Sequence, residues 1–580
     1  MEEEQDLIMN VSEYIVDFFQ KKGINDFFGY QGTMIAYFIE AICQNPEVRN
    51  HSCYNEQGAA FAAVGYAKTK GSCGVAYATS GPGALNLVSG IADAYYDSVP
   101  VIFITGQLNT TEYTEITNLR QQGFQQTDVV GVTTPISKYS VMITEPEMVP
   151  YELEKAWEIA NSGRKGPVVL DIPMNVQKMP LEIAKATKFM KNSVIDTDFS
   201  FVNDIIKEIA KAKRPVLMLG NGISRDNTDK VRTLVGKLDI PAMTSMPGID
   251  LLESDDIHNL GYLGAAYGFR AANLIAYKKA DLIVSLGSSM CRRQTGNPEK
   301  FAADASIIRV DIDEVELSRK VHSDDVAYVA DVNRVIELML EADVEFVDRS
   351  EWVNVCGSIK AKTEAFNKSL PERMPNEMIT EIGNLMTSDS VFAIDVGQHQ
   401  LWSAQSLPIK DNRRMLFSGG HGAMGFSLPG AIGAYYASGK KTACIAGDGS
   451  FQMNIQELQW LVREQIPVTV FVMNNNVLGL IRQQQDDFFG SRYFGSSTEG
   501  GFDSPSFEQI GKAYGIDSYS VSSFEELREL KAEINAMKPV LVEVILPCDT
   551  KAYPKTYFGQ EMYSQKPYIP DDMMQELLSM

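Results

Sequence analysis

Positive charge is scarce in this chain: 52 lysines and arginines stand against 75 aspartates and glutamates, a formal net charge of -23. A nucleic-acid partner needs a basic face, so none is expected. No apolar run approaches the roughly 20 residues that span a bilayer. The opening MEEEQDLIMN is acidic, unlike a signal or transit peptide. The expectations are no membrane partner and a cytoplasmic location. Cysteine is sparse too. Seven residues (Cys43, Cys53, Cys73, Cys291, Cys356, Cys444, Cys548) are scattered without CxxC spacing, which reads as reduced thiols and not a disulfide framework. Low-complexity segments are missing, and there are only five histidines.

What is present is a long alternation of short β-rich runs with helical stretches, the pattern of parallel α/β sheets. Examples are Gly74–Ala78, Val101–Ile104, Val216–Leu219, Leu282–Leu286 and Val468–Val472. At 580 residues the chain is too long for one core, and about three domains are expected. A lysine-rich stretch (Lys185, Lys188, Lys191) and a polar stretch ending at Leu370-Pro371-Glu372 suggest the boundaries. The division is 1–185, 195–345 and 365–550, with 551–580 as an extended tail.

One constellation carries chemistry. Gly447-Asp448-Gly449-Ser450 closes an apolar strand and is followed, after a 23-residue gap, by Asn474-Asn475. A magnesium ion holding a diphosphate takes hard oxygen ligands in an octahedral cage. Asp448 offers a carboxylate, Asn475 a side-chain carbonyl, and Val477 a backbone carbonyl. The glycines let backbone approach the phosphates, and a helix from Asn454 to Arg463 is expected to aim amides at them. This is the thiamine diphosphate motif, and it makes Gly447, Asp448, Gly449, Ser450, Asn475 and Val477 candidate cofactor or metal contacts. Gly479 and Leu480, just beyond, join them. Activating that cofactor takes a carboxylate in an apolar niche. Glu56, in Tyr54-Asn55-Glu56-Gln57-Gly58 ahead of a small-residue helix, is the candidate. The turn Thr79-Ser80-Gly81-Pro82-Gly83 follows a strand, where active-site walls form.

Taken together these stretches resemble the acetolactate synthase branch of the thiamine diphosphate enzymes. The likeness runs through TSGPGALNLVSGIADAYYDSVPVIFITGQ (79–107), Gly163–Val168, Asp395–Gln400, Ser418–Phe426 and GDGSFQMNIQEL (447–458), covering roughly residues 8 to 550. It implies three doubly wound parallel-sheet domains: pyrimidine-binding, central flavin-type and diphosphate-binding. It also implies a homodimer with shared active sites, Glu56 of one chain facing Asp448 of the other, and assembly to a tetramer. By the same likeness Met424 bends the cofactor, Gln398 and His399 touch its diphosphate, and Gly422 lies beside them. Phe124 and Gln125 line the substrate side. The decarboxylases of the superfamily place a histidine pair near this region; Leu119–Gln126 has none, which favours ligation over release of an aldehyde. Gly220, Gly222, Gly287, Arg293, Asp311, Ile312 and Asp331 match contacts to FAD. The alternative is a domain that has kept its fold and lost that ligand. Bound FAD would be structural, because decarboxylation and ligation move no net electrons.

The departures cluster in the substrate pocket. Gln484 stands where the family has a tryptophan, Ser289 where it has an arginine, Met174 where it has a lysine, and Gln31-Gly32-Thr33 replaces Pro-Gly-Gly. A 2-oxo acid acceptor held by a guanidinium would lose a charge-assisted pair, a loss of about 2 kcal/mol. Gln31, Gly32, Ser80 and Gln484 are therefore read as a changed substrate pocket. The tail, Tyr553 to Pro567, resembles a subgroup that adds a two-carbon unit to nucleotide-sugar ketones. The expected function is a thiamine diphosphate- and magnesium-dependent carboligase that decarboxylates pyruvate or a similar 2-oxo acid. It passes the acyl unit to a sugar ketone or aldehyde. The alternatives are a true acetolactate synthase and a cyclic-dione hydrolase of the same family.

Overall fold

The computed structural model describes residues 9–116, 118–183, 186–187, 189–190, 198–343, 347–557 and 559–580. Lys185, Lys188 and Lys191, and the expected boundary residues 185, 195 and 345, lie outside the described residues.

Three six-stranded sheets, parallel throughout, follow one another along the chain. Their central strands are buried on both faces, as the unbroken apolar runs require. The N-terminal sheet runs Arg49–Ser52, Asp26–Gly29, Gly74–Ala78, Val101–Gln107, Val168–Pro173, Tyr139–Met142. The C-terminal sheet repeats that connectivity: Arg414–Phe417, Val391–Ile394, Thr442–Gly447, Val468–Asn474, Val540–Ile545, Asp517–Val521. In both, the first and third strands in sequence lie side by side. The middle sheet runs Asn259–Tyr262, Ala242–Thr244, Pro215–Leu219, Leu282–Leu286, Ser306–Asp311, Val326–Val329, the order of dinucleotide-binding folds.

In such sheets strand order reverses at one point, and a crevice opens there beyond the carboxyl ends of the strands. The C-terminal switch point lies between Ile394 and Gly447, one residue before Asp395 and Asp448. The middle one lies between Leu219 and Leu286, next to Gly220 and Gly287. The N-terminal one lies between Gly29 and Ala78, next to Tyr30-Gln31-Gly32 and Thr79-Ser80. All three groups of candidate residues therefore fall where topology makes a crevice.

The outer domains are fused. One apolar cluster runs from Val11–Leu181 in the N-terminal domain into Val391–Leu541 in the C-terminal domain. At its centre the helix Glu56–Lys70 lies against the helix Ser427–Ser438 with almost no side chain between them. A Cβ on Gly65 would sit 2.3 Å from the Gly430 carbonyl oxygen, and one on Gly433 would sit 1.9 Å from that of Ala62. The middle domain has two clusters of its own. The tail is extended only in part: it ends in a helix, Asp571–Ser579, and Met562, Ile569 and Leu577 fill the middle domain's core. Apolar spacing in that acidic, methionine-rich stretch is the signal the sequence reading passed over.

Candidate active site

Asp448 is the first residue of a short helix, Asp448–Phe451, directly after the strand Thr442–Gly447. The expected helix over 454–463 is broken. A 3-10 turn, Gln452–Glu457, is kinked at Asn454 (φ -135°) and the helix proper is Leu458–Glu464. The turn that points at the site therefore starts at Asp448, six residues earlier than expected. Asp448 is buried; its Oδ1 accepts the Gly449 amide at 2.7 Å and its Oδ2 the Val477 amide at 3.1 Å. Burial pushes its carboxyl up to about 6 against those bonds. The fold thus joins the two halves of the motif directly. Asn476 turns the loop with φ +53°, a left-handed conformation asparagine tolerates.

Asn475 donates through Nδ2 to Gln398 Oε1 at 3.1 Å and to Thr550 Oγ1 at 2.8 Å. That fixes the amide and leaves its carbonyl oxygen without a hydrogen-bond donor among the described residues. Gln398, expected at the diphosphate, spends its Nε2 on the Thr550 carbonyl and on Gln483. Its side chain braces Asn475. Gly479 closes the same corner, because a Cβ there would meet Gln398 Oε1 at 2.0 Å. Ser450 folds its hydroxyl back on Gly447. The His399 ring lies against Gly397 and Gly447, whose Cβ atoms would come within 2.5 and 2.8 Å of it. Burial lowers its pKa to about 3, so the imidazole is neutral, and Nε2 is buried without a partner among the described residues. Gly422 (φ +71°) has open space where a Cβ would stand, and Met424 beside it is half-buried.

In the N-terminal domain Glu56 is the first residue of its helix, with Asn55 as N-cap accepting the Gln57 amide at 2.8 Å. Asn86 holds its Oε2 at 2.9 Å. Gly32 stands against Thr79, and the left-handed Gly81 abuts the carbonyl of Gln125, itself at φ +64°. Gln31, Gly32, Ser80 and Gln125 are thereby gathered at one sheet edge. Ser80 Oγ is buried with no partner among the described residues. Phe124 is 81% exposed, and Gln484 is exposed on the helix Gly479–Phe488. No hydrogen bond among the described residues joins Glu56, Gln31, Ser80 or Gln125 to Asp448 or Asn475 within one chain.

A cleft of about 870 Å³ runs from the middle switch point to Gly422 and Leu480. Gly222, Gly287, Arg293, Asp311, Ile312 and Asp331 line it. Gly220 stands behind them, its missing Cβ admitting the Gly287 carbonyl at 1.9 Å. Burial raises the Asp311 carboxyl. Asp331 is engaged locally as the N-cap of Val332–Glu341. Ser289 is on the cleft wall.

Three acids that sequence reasoning passed over hold the site's loops. Asp395 accepts the Gly425 and Ser427 amides, both at 2.9 Å, just after Met424. Asp97 accepts the Gly419 and Gly420 amides at 3.0 and 2.6 Å, just before His421. Glu457 accepts the Tyr54 and Asn55 amides, just before Glu56.

Against known protein families, residues 9–132, 202–339 and 395–544 match the N-terminal TPP binding, central and C-terminal TPP binding domains of thiamine pyrophosphate enzymes. The chain is 35% identical over 548 residues to the acetolactate synthase isozyme 1 large subunit of Escherichia coli K12, covering 94% of this chain and 95% of that one. It is 34% identical over 545 residues to the acetolactate synthase large subunit of Lactococcus lactis (92% of each). To the chloroplastic acetolactate synthase 1 of Oryza sativa it is 34% identical over 560 residues, 92% of this chain and 84% of that one.

Proposed function

The chain belongs to the thiamine pyrophosphate enzymes, in their acetolactate synthase-like branch, and we propose that it is a carboligase joining the acyl unit of pyruvate, or a similar 2-oxo acid, to a second carbonyl compound. The observation that carries this reading is the Asp448–Val477–Asn475 corner beside a neutral His399 whose Nε2 has no partner among the described residues. Asp448, the Asn475 carbonyl and the Val477 carbonyl would hold Mg²⁺, which suits an all-oxygen donor set. Gly447, Gly449, Ser450, His399, Gly479 and Leu480 would surround the diphosphate, with Gln398 as the brace. Gly422 and Met424 would lie along the rings.

Bound thiamine diphosphate supplies the electron sink that decarboxylation of a 2-oxo acid requires. Glu56, its Oε2 fixed by Asn86, would leave Oε1 to exchange a proton with the aminopyrimidine of a bound cofactor. Gln125, Phe124 and Ser80 orient the substrate from the N-terminal domain. Two chains would complete each site, Glu56 from one and Asp448 from the other, so the working form is a homodimer or a tetramer. FAD would suit the long cleft, where Gly222 and Gly287 remove side chains and Arg293 supplies a cation, with Gly220 letting the Gly287 backbone approach from behind. It would hold the middle domain in place without passing electrons. A reducing, cytoplasmic setting would suit the free cysteines, one of which, Cys291, lines that cleft.

The acceptor divides two readings. The relatives named above are acetolactate synthases and lend no support to a changed acceptor, so a 2-oxo acid acceptor leads. A neutral sugar ketone or aldehyde is favoured by one observation only: Gln484 is exposed and Ser289 faces the cleft, neither bringing a cation. Carbon dioxide release from pyruvate, with thiamine diphosphate and magnesium, decides between them when the products are identified by mass with 2-oxobutyrate, a keto-deoxysugar nucleotide or an aldehyde added. Acetohydroxy acid as the main product supports the first; turnover stimulated only by the neutral carbonyls supports the second. Turnover of a cyclic dione without carbon dioxide would replace both. Asp448→Ala is expected to lower carbon dioxide release at least 100-fold and to weaken magnesium-dependent cofactor binding; wild-type binding by that variant would refute the metal assignment.

A further inference from the structure

We propose that Glu457 is a positioning residue for Glu56, acting through the backbone amides of Tyr54 and Asn55. This rests on the reading of Glu56 given above. Glu457 belongs to the C-terminal domain, at the end of the 3-10 turn Gln452–Glu457 and nine positions after Asp448, yet it reaches the loop that launches the Glu56 helix. Its side chain is fully buried. Oε1 accepts the Tyr54 amide at 3.2 Å and the Asn55 amide at 3.1 Å; Oε2 accepts the Tyr54 amide at 3.0 Å. Those are the two residues immediately before Glu56, and Asn55 is the helix N-cap.

The carboxylate has room only because residue 58 is glycine: a Cβ there would lie 2.6 Å from Oε1. Neighbouring bonds run in parallel. Asn454 Nδ2 donates to Gln57 Oε1 at 3.2 Å, Arg463 donates to the Ser52 carbonyl, and Glu464 Oε2 meets His51 Nδ1 at 3.1 Å. The turn and helix that begin at Asp448 therefore hold the strand and loop that end at Glu56. A general interdomain adhesive would not need a buried acid, since burying a carboxylate costs more than burying an amide. An acid does offer two acceptors and no competing donor to a pair of adjacent N–H groups, and charge strengthens both bonds. Burial pushes this carboxyl up to about 7. A misplacement of about 1 Å at a reacting group costs on the order of 100-fold in rate, so a tether at this point bears on turnover more than on binding.

The test compares Glu457→Ala, Glu457→Gln and Glu56→Gln in the full-length protein. Amide hydrogen exchange of the 50–58 segment is read without cofactor, thiamine diphosphate affinity by titration, and kcat and KM from carbon dioxide release with pyruvate. In E457A, exchange of the segment should rise about 10-fold and kcat fall 10- to 100-fold, with KM and cofactor affinity within about 3-fold. E457Q keeps the oxygen that faces both amides, so it should restore exchange protection and bring kcat within about 10-fold of wild type. Should E457A fail to fold, E457Q and Glu457→Asp, whose shorter arm withdraws both oxygens, give the same contrast. Wild-type kcat in E457A or E457D overturns the proposal, as does a kcat loss matched by equal losses of cofactor affinity and melting temperature. If E56Q turns over like wild type, the reading of Glu56 fails and the proposal with it; if E56Q is dead while E457A is fully active, only the proposal falls.

Discussion

Two buried acids cross the boundary between the outer domains in opposite directions. Glu457, from the C-terminal domain, holds two consecutive amides ahead of Glu56; Asp97, from the N-terminal domain, holds two consecutive amides ahead of His421–Met424. Each grip holds two adjacent amides, Glu457 through one shared oxygen and Asp97 through one oxygen apiece, and the two differ in charge. Asp97 Oδ2 also accepts Lys68 Nζ at 2.6 Å, with Asp93 close by and bonded to Ser418. Glu457 has no ion pair among the described residues; Arg463 acts on it only from a distance. One loop of the site is thus held by a compensated charge and the other by an acid whose pKa burial raises to about 7.

The largest effect should come from breaking the compensated grip. Asp97→Ala removes the nearer of the two carboxylates around Lys68, leaving it Asp93 at 3.9 Å and the Phe417 carbonyl, and frees two amides. Removing one partner of a buried pair costs about 3–5 kcal/mol. Denaturant unfolding should show that loss, and a change below about 1 kcal/mol would mean that Asp93 and the Phe417 carbonyl satisfy Lys68 on their own. Next is Gly433→Ala. Its methyl would meet the Ala62 carbonyl, so the two central helices must separate, straining both grips at once. The expected cost is about 1–3 kcal/mol, with carbon dioxide release reduced; a stable, fully active variant would show that the helices slide without disturbing either loop.

The smallest effect sharpens the contrast. Glu457 has a folded pKa of about 7 against 4.5 when unperturbed. Between those values the folded chain binds more protons than the unfolded one, so stability falls as pH rises through that window and levels off above it. Asp93 and Asp171, also raised to about 7 by burial, add to the same slope. The groups around Glu457 are Arg463, Gln456, Tyr54 and the buried thiol of Cys53. Glu457→Gln should remove about one proton's worth of slope, whereas Lys68→Met, which leaves Asp97 uncompensated, should steepen it. Unfolding free energies at half-unit pH steps measure both; equal slopes in all three proteins would erase the distinction between the grips.

Much of the site is legible in the sequence. Asp448, Asn475 and Val477 are separated by few residues and two recognisable elements, and glycine marks the close approaches. The three sheets follow from apolar runs too short for helices. What sequence reasoning misses is of another kind. Glu457 and Tyr54 are 403 positions apart, and a side chain bonded to a distant backbone amide leaves no period or spacing behind. The Asn454 kink escapes it because nothing in NIQELQWLVRE breaks a helix on propensity; the contacts to Gln57 and Gly425 override it. Gln398 illustrates the limit of likeness, for its side chain, expected at the diphosphate, is committed to Asn475 and Thr550.

The shared core of the outer domains has a consequence for how the molecule is made. Its N-terminal half is complete near residue 181 and its C-terminal half only near residue 541. At ribosomal speeds of about 5–20 residues per second, the first half waits about 20–70 s for the surface that covers it. During that interval the small-residue face around Gly65 lacks the helix Ser427–Ser438 that covers it in the folded chain.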